Sequence, residues 1–358
     1  MAVISYKCPN CGGELVFDPS AQNFKCEYCS SSFSQEELDA MKPAAAREQQ
    51  MVESEPDGAG SNDTRDDSEE GMIYICPSCG AQIVTDSTTA ATICYYCHNP
   101  VVLSGRLSGE LKPDRVIPFA IDRKQAEQRF LDFVHSKKFV PRALFQKNQI
   151  EKLTGVYFPY WVYECTMEGS MDAQGTNIRV WRNGDVEYTE TKYYQVEREG
   201  TVEISNLTKN ALTKVNRRLI ESVFPYDLTQ MKEFHMGFLS GFQAEKRDVE
   251  SESLRQQTEQ EVKEYGRQLL RDTISGYSGV TVGSHQEKIQ KETWSYVLLP
   301  LWTLTYKGKN GKFYYYSLNG QTGKIYGELP IDYKRVSLLA GAVALIVLIF
   351  FLIAGYLV

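Results

Sequence analysis

Two cysteine quartets limit what this chain can fold into more than any other feature. The first is Cys8-Pro9-Asn10-Cys11-Gly12, thirteen residues, then Cys26-Glu27-Tyr28-Cys29. The second is Cys76-Pro77-Ser78-Cys79-Gly80, thirteen residues, then Cys94-Tyr95-Tyr96-Cys97. Each cysteine of the first quartet recurs 68 positions later, from 8 to 76 onward. Two CxxC hooks joined by a short excursion bring four thiolates to one tetrahedral zinc ion. Glycine after the second cysteine, Gly12 and Gly80, permits the positive φ that turns backbone N–H groups toward sulfur. The expected cofactor is therefore Zn2+ at two structural sites, held by Cys8, Cys11, Cys26 and Cys29 and by Cys76, Cys79, Cys94 and Cys97. A closed four-cysteine site leaves no coordination position for water or substrate. Disulfides or redox CxxC pairs fit two complete, evenly spaced quartets less well.

The 358 residues are enough for two or three domains, and the net charge of −7 is a mild acidic excess. Eight of the nine cysteines belong to the quartets, and Cys165 lies in an aromatic strand as a small core residue. Thiolate ligands suit a reducing compartment. No signal sequence is read before the first hook.

The expected fold class is α+β. It comprises two small N-terminal four-cysteine zinc ribbons, a mixed α/β region with antiparallel sheet and a long helix, and one C-terminal transmembrane helix. Ribbon one takes residues 1–35 and ribbon two residues 72–106. Residues 36–71 between them are an acidic flexible linker, since Glu53 to Glu70 holds almost no large apolar group. A short helix over Gln35–Met41 precedes it. Met72 to Val101 has no Lys or Arg but carries Ile73, Tyr74, Ile75, Tyr95 and Tyr96.

Residues 107–333 form the α+β region. Asp122 caps a helix with Ala126, Phe130, Phe133 and Val134 on one face. Asn183-Gly184 between Ile178–Trp181 and Val186–Thr189 signals a hairpin, and a second strand pair is expected around Glu199-Gly200. A helix is expected over Lys209–Ser222, a helical piece over Met231–Phe238, and a long polar helix from about Ala244 to Ile274. Strands return at Val280–Ile289, Thr293–Tyr306, Lys312–Leu318 and Lys324–Glu328. The segments around Pro159-Tyr160-Trp161 and Pro300-Leu301-Trp302 each place Pro-x-Trp in an apolar strand and suggest a duplicated unit. Val336 to Val358 is 23 residues without a charge, long enough to span a bilayer. Residues 334–358 are read as a tail anchor that meets membrane lipid through 336–358. Lys334 and Arg335 before it put residues 1–335 in the cytoplasm.

No catalytic residue is expected, and the chain is read as non-enzymatic. His98, His135, His235 and His285 stand in no triad or metal spacing, and no phosphate loop, GxSxG or HExxH occurs. Ribbon two lacks the basic face that phosphate binding needs, so a nucleic-acid-binding ribbon tethered to the membrane is the alternative. The favoured reading is a membrane-anchored adaptor that recruits cytoplasmic partner proteins.

The two CPxCG…CxxC ribbons, the Pro-x-Trp strands, Gly237-Phe238-Leu239-Ser240-Gly241-Phe242-Gln243-Ala244-Glu245, Asn319-Gly320-Gln321-Thr322-Gly323-Lys324 and the single apolar span together carry a resemblance. The chain resembles the bacterial membrane proteins labelled TFIIB-type zinc ribbon-containing. That resemblance implies the eight cysteines as ligands. It also implies PspA-like or flotillin-like (SPFH) proteins as partners and a role in envelope-stress response.

Overall fold

The computed structural model describes residues 3–4, 7–41, 72–75, 82–85, 88–94, 100–103, 107, 111–141, 150, 152–213, 217–307 and 312–357. In chain order the strands of the ribbon region are β1 Val3–Ile4, β2 Leu15–Asp18, β3 Asn23–Cys26 and β4 Ser32–Phe33, followed by helix α1 Gln35–Met41. Next come β5 Met72–Ile75, β6 Gln82–Thr85, β7 Thr89–Ile93 and β8 Pro100–Leu103. The α+β region contains β9 Arg115–Val116, α2 Arg123–His135, β10 Thr154–Asn183, β11 Val186–Asn210 and α3 Arg217–Glu221. It continues with β12 Lys232–Glu233, β13 Gln243–Glu245, α4 Ser251–Asp272, β14 Gly279–Lys307, β15 Phe313–Asn319 and β16 Ile325–Gly327. Helix α5 is Tyr333–Leu357. Apart from α1, the linker expectation lies outside the described residues, as does the turn at Lys309-Asn310-Gly311.

The chain divides into two compact units. One holds residues 1–158, 214–246 and 298–358, the other 159–213 and 247–297. In the first, β2-β3-β4 form the antiparallel sheet of ribbon one. Strand β1 does not join that sheet. It pairs with β8 of ribbon two (Val3↔Leu103), β8 pairs with β7, β7 with β13, and β13 lies parallel to the start of β10. Half of ribbon two is thus stitched into the larger sheet, which an independent small ribbon would not require. The same unit holds the antiparallel run from the end of β14 through β15 to β16.

Both units make the same set of contacts around Pro-x-Trp. In the first, Trp302 Nε1 donates to Ile121 O at 2.9 Å, one residue before the Asp122 cap of α2. The amides of Ala120 and Ile121 donate to Gly320 O, and the Gly320 amide donates to Pro300 O at 2.9 Å. Asn319, paired with Leu301, ends the return strand and accepts from the Gln321 amide at 2.9 Å. The Phe119 amide donates to the Tyr157 hydroxyl at 3.3 Å. In the second unit, Trp161 Nε1 donates to Val249 O at 2.9 Å, one residue before the Glu250 cap of α4. The amides of Asp248 and Val249 donate to Ala211 O, and the Ala211 amide donates to Pro159 O at 3.2 Å. Asn210, paired with Tyr160, accepts from the Leu212 amide at 3.1 Å. The Arg247 amide donates to the Tyr296 hydroxyl at 3.3 Å. In each unit an indole fixes the start of a helix to the end of a hairpin, with a proline carbonyl holding the turn.

Several elements differ from the periodicity reading. The hairpin around Asn183 is not two short strands but strands of 30 and 25 residues, and Glu199-Gly200 lies inside it, with Gly200 opposite Gly169. Its turn has Gly184 at the first central position with φ +63°, as a II′ hairpin turn requires. The ladder of β10 carries β11 through Lys209 and Asn210, so no helix begins there, and α3 covers only Arg217–Glu221. Residues 231–238 give the two-residue β12 and a 3-10 turn over Met236–Leu239. The long helix begins at Ser251, because 243–245 is drawn into β13 and 248–249 into bonds with Ala211. It packs Val262 against Tyr163, Cys165 and Met167, and Leu270 against Met171, Ala173 and Val196. The two expected strands over 280–306 are the single strand β14.

Helix α5 has 25 residues, about 37 Å at 1.5 Å per residue, against about 30 Å of hydrocarbon. Its Tyr333–Leu352 stretch is long and apolar enough to cross a membrane and buries nothing against the described chain.

Replacing Trp302 or Trp161 by Phe keeps an aromatic ring, though a smaller one, and strands a carbonyl without its donor. Each change is expected to cost about 1–3 kcal/mol, with Trp302→Phe at the upper end because its bond to Ile121 is fully buried. Denaturant unfolding of the detergent-solubilised protein checks this, and equal stability of Trp302→Phe and wild type would refute the role given to the indole.

Candidate metal centre

Ribbon one builds its site from two tight turns. In the first, the Cys8 amide donates to Gly13 O at 2.6 Å and the Gly12 amide to Cys8 O at 2.8 Å. In the second, the Cys26 amide donates to Ser31 O at 2.9 Å and the Ser30 amide to Cys26 O at 3.0 Å. The hooks are near copies, each needing one left-handed residue. Gly12 supplies it at φ +71°, where a side chain would be strained, and Ser30 at φ +59°. Antiparallel pairing of β2 with β3 sets Leu15 opposite Cys26 and brings the two hooks together.

The Sγ atoms of Cys8, Cys11, Cys26 and Cys29 all lie within 4.8 Å of one another, so this cluster can hold a metal ion. Cys8 and Cys29 are 3.5 Å apart, as are Cys11 and Cys26. A tetrahedron with Zn–S bonds of about 2.3 Å has sulfur edges of roughly 3.8 Å, so the spacing fits that donor set. None of the four is in a disulfide. Cys8 and Cys26 are buried, while Cys11 and Cys29 face solvent.

The sulfurs do not share charge evenly. The hydrogen bonds from Ser31, first its side chain and then its backbone, pull Cys29 down to about 6. The Gly13 amide favours the Cys11 thiolate, but the surrounding sulfurs of Cys29, Cys26 and Cys8, with desolvation, push Cys11 up to about 12. Four thiolates this close repel one another, and a divalent cation is what removes that repulsion. Asn10 Nδ2 donates to Ser31 Oγ at 2.9 Å and ties one hook to the other.

Ribbon one is too small to enclose its own apolar residues, and it uses a receptor that the periodicity reading missed. Phe17 and Phe24 meet edge to face at 5.5 Å, and both rings meet Phe238, at 5.1 and 6.0 Å. Ser240 Oγ donates to Leu15 O at 2.5 Å, and the Phe17 amide donates to Ser240 O at 3.2 Å. Gln22 Nε2 donates to Phe119 O at 2.8 Å. Two glycines allow this approach. A Cβ on Gly237 would stand 2.7 Å from the Phe24 ring, and one on Gly241 (φ +91°) would stand 2.6 Å from Val16. The signal was in the sequence as Gly-x-x-x-Gly around Phe238-Leu239-Ser240, but nothing local said which surface it serves.

The remaining candidate residues fall elsewhere. Cys94 is buried just after β7, while Cys76, Cys79, Cys97, Gly80 and His98 lie outside the described residues. Cys165 is buried in the second unit, where burial pushes its thiol up. His235 caps the 3-10 turn, its Nδ1 accepting from the Gly237 amide at 3.2 Å, and His285 sits 3.2 Å from Glu287.

Over 335 residues the chain is 30% identical to the uncharacterized protein YdjG of Bacillus subtilis (strain 168), covering 94% of this chain and 92% of that one. The chain belongs to the YdjG family. No family model matches it. No solved structure matches it.

Cys8→Ser together with Cys11→Ser is expected to remove one equivalent of bound metal from the purified protein, read by elemental analysis. Gly237→Ala and Gly241→Ala are expected to retain that metal but loosen ribbon one from its receptor, exposing its core to proteolysis. Loss of metal in the glycine variants would tie the two events together and refute the separation.

Proposed function

We propose that this protein is a non-enzymatic, membrane-anchored zinc-ribbon adaptor that gathers cytoplasmic partner proteins at the inner face of the membrane. The observation that carries this reading is the union, in one compact unit, of a closed four-sulfur cluster and an apolar helix with no burial in the fold. All-sulfur tetrahedral donors select zinc among the common divalent ions, and four of them leave no open position for chemistry. The metal would hold the shape of the hooks, with Cys8, Cys11, Cys26 and Cys29 as its ligands, and the second quartet would repeat the arrangement. Helix α5 supports a membrane location by its length, and Lys334 and Arg335 at its start favour a cytoplasmic N-terminal region.

Exposed aromatic side chains give partners something to grip. Tyr28 stands between the cysteines of the second hook and is 77% exposed. In the other unit, Trp181 stacks on Tyr188 at 5.6 Å near the hairpin turn, and both rings remain exposed along with Tyr193. Rigid aromatics of this kind anchor protein interfaces. PspA-like or flotillin-like membrane-associated proteins, and with them envelope-stress response, are the partners and process that the family resemblance supports.

Affinity capture from solubilised membranes tests the reading. Cys76→Ser with Cys79→Ser, and separately Cys8→Ser with Cys11→Ser, are expected to lower partner recovery at least about ten-fold, a loss of about 1.4 kcal/mol in binding, with membrane retention unchanged. Undiminished capture by both variants would end the docking role of the ribbons. Nucleic acid recovered in place of protein would support the tethered nucleic-acid-binding alternative.

A further inference from the structure

A groove of about 490 Å³ lies where the fold meets the start of α5. Phe133, Phe139, Val140, Leu329, Pro330 and Ile331 give it an apolar lining, and Lys137 and Lys138 stand on its wall. We propose that this groove holds an anionic phospholipid of the surrounding bilayer, its phosphate against Lys137, Lys138 and Lys334 and the adjoining part of its chains against the apolar lining. The proposal rests on α5 being a membrane span, and it adds the lipid class and the residues that select it.

Position is the first argument. The first turn of α5 is bolted to the segment after α2. The Asp332 amide donates to Phe139 O at 2.7 Å, Arg335 Nε lies 3.3 Å from Asp332 Oδ2, and Arg335 Nη1 donates to Val140 O at 3.4 Å. Leu329, Pro330 and Ile331 are two to four residues from Tyr333, so at about 3.3–3.6 Å per residue they sit within roughly 14 Å of the span. The headgroup region of a bilayer reaches about 5–8 Å beyond its hydrocarbon on each side, so the groove opens into that region or just above it. Ile331 and Tyr333 are 53% and 72% exposed there, an apolar and an amphipathic side chain suited to an interface.

Charge is the second argument. The groove lining contains two lysines and no acid. Of the carboxylates next to the lining in sequence, Asp332 is engaged by Arg335 and Glu328 accepts from the Tyr326 hydroxyl. Among the described residues Lys137 lies over the Phe133 ring at 5.3 Å, and Lys137, Lys138 and Lys334 are in no ion pair. Two ammonium groups on an apolar cleft, with Lys334 three residues after the lining Ile331, fit a phosphodiester with attached hydrocarbon, since lysine stems lie along apolar surface while their heads seek the phosphate. A free phosphate would use the charge and leave the cleft empty.

The test reconstitutes the full-length protein in vesicles of equimolar phosphatidylcholine and phosphatidylglycerol. After detergent extraction, the co-purified lipids are counted by mass spectrometry. Phosphatidylglycerol is expected to be enriched about five-fold over phosphatidylcholine. Lys137→Gln, Lys138→Gln and Lys334→Gln combined should abolish the enrichment, and the corresponding Lys→Arg triple should keep it. Equal recovery of both lipids, or enrichment that survives the Gln triple, overturns the proposal. So does competition by millimolar inorganic phosphate as effective as that by the lipid, which would mark a phosphate site. Alkaline carbonate extraction of the wild type separates the underlying reading: release from the vesicles refutes the span itself, whereas retention without enrichment refutes the groove alone.

Discussion

Two indole N–H groups hold this structure in register. Trp302 and Trp161 each donate to the carbonyl just before a helix cap, so the end of a hairpin and the start of a helix cannot move apart without stranding a polar group. Each bond sits beside others of the same pattern: a proline carbonyl accepting from Gly320 or Ala211, and that residue's carbonyl in turn accepting two amides ahead of the helix. A tyrosine hydroxyl completes the set, with burial pushing the ionisation of Tyr157 and Tyr296 up so that both stay neutral acceptors. The sequence marks strand in β11 only over Val186–Thr189 and around Glu199-Gly200, and its full length follows from β10 as its ladder partner.

The framework also changes what ribbon one is. A cysteine ribbon on an acidic tether suggests a mobile head. Ribbon one instead rests on Phe238 and Ser240 through aromatic contacts and two backbone-directed hydrogen bonds, and Gly237 and Gly241 exist to let it come that close. Strand β1, which precedes the first hook, pairs with β8 of the second ribbon. The sulfur cluster therefore belongs to the unit that also carries α5, and Tyr28 in its second hook stays exposed. In the same unit, Asp332 and Arg335 clamp the start of α5. The adaptor proposed above would need a shape that persists between its anchor and its docking surface, and the sulfur cluster and the clamp on α5 each fix one part of the same unit.

Much of the candidate site was legible in the residues. CxxC spacing foretold that the four sulfurs of ribbon one come together and that Gly12 takes φ +71°, because both follow from the reach of a single turn. Asp122 and the apolar face of α2 were legible for the same reason: a cap and a 3.6-residue period are local. Pro-x-Trp was visible twice, but its meaning was not, since each indole finds its carbonyl 88 or 181 positions away.

By itself the sequence determined the sulfur donors, the cap of α2 and an apolar helix long enough for a bilayer, all consequences of short-range geometry or of composition over one segment. The tertiary structure alone decided where ribbon one docks, how far β10 and β11 extend, where α4 begins, and that Lys137 and Lys138 share a groove with Leu329, Pro330 and Ile331. Those outcomes depend on pairings between distant residues, which no local period encodes.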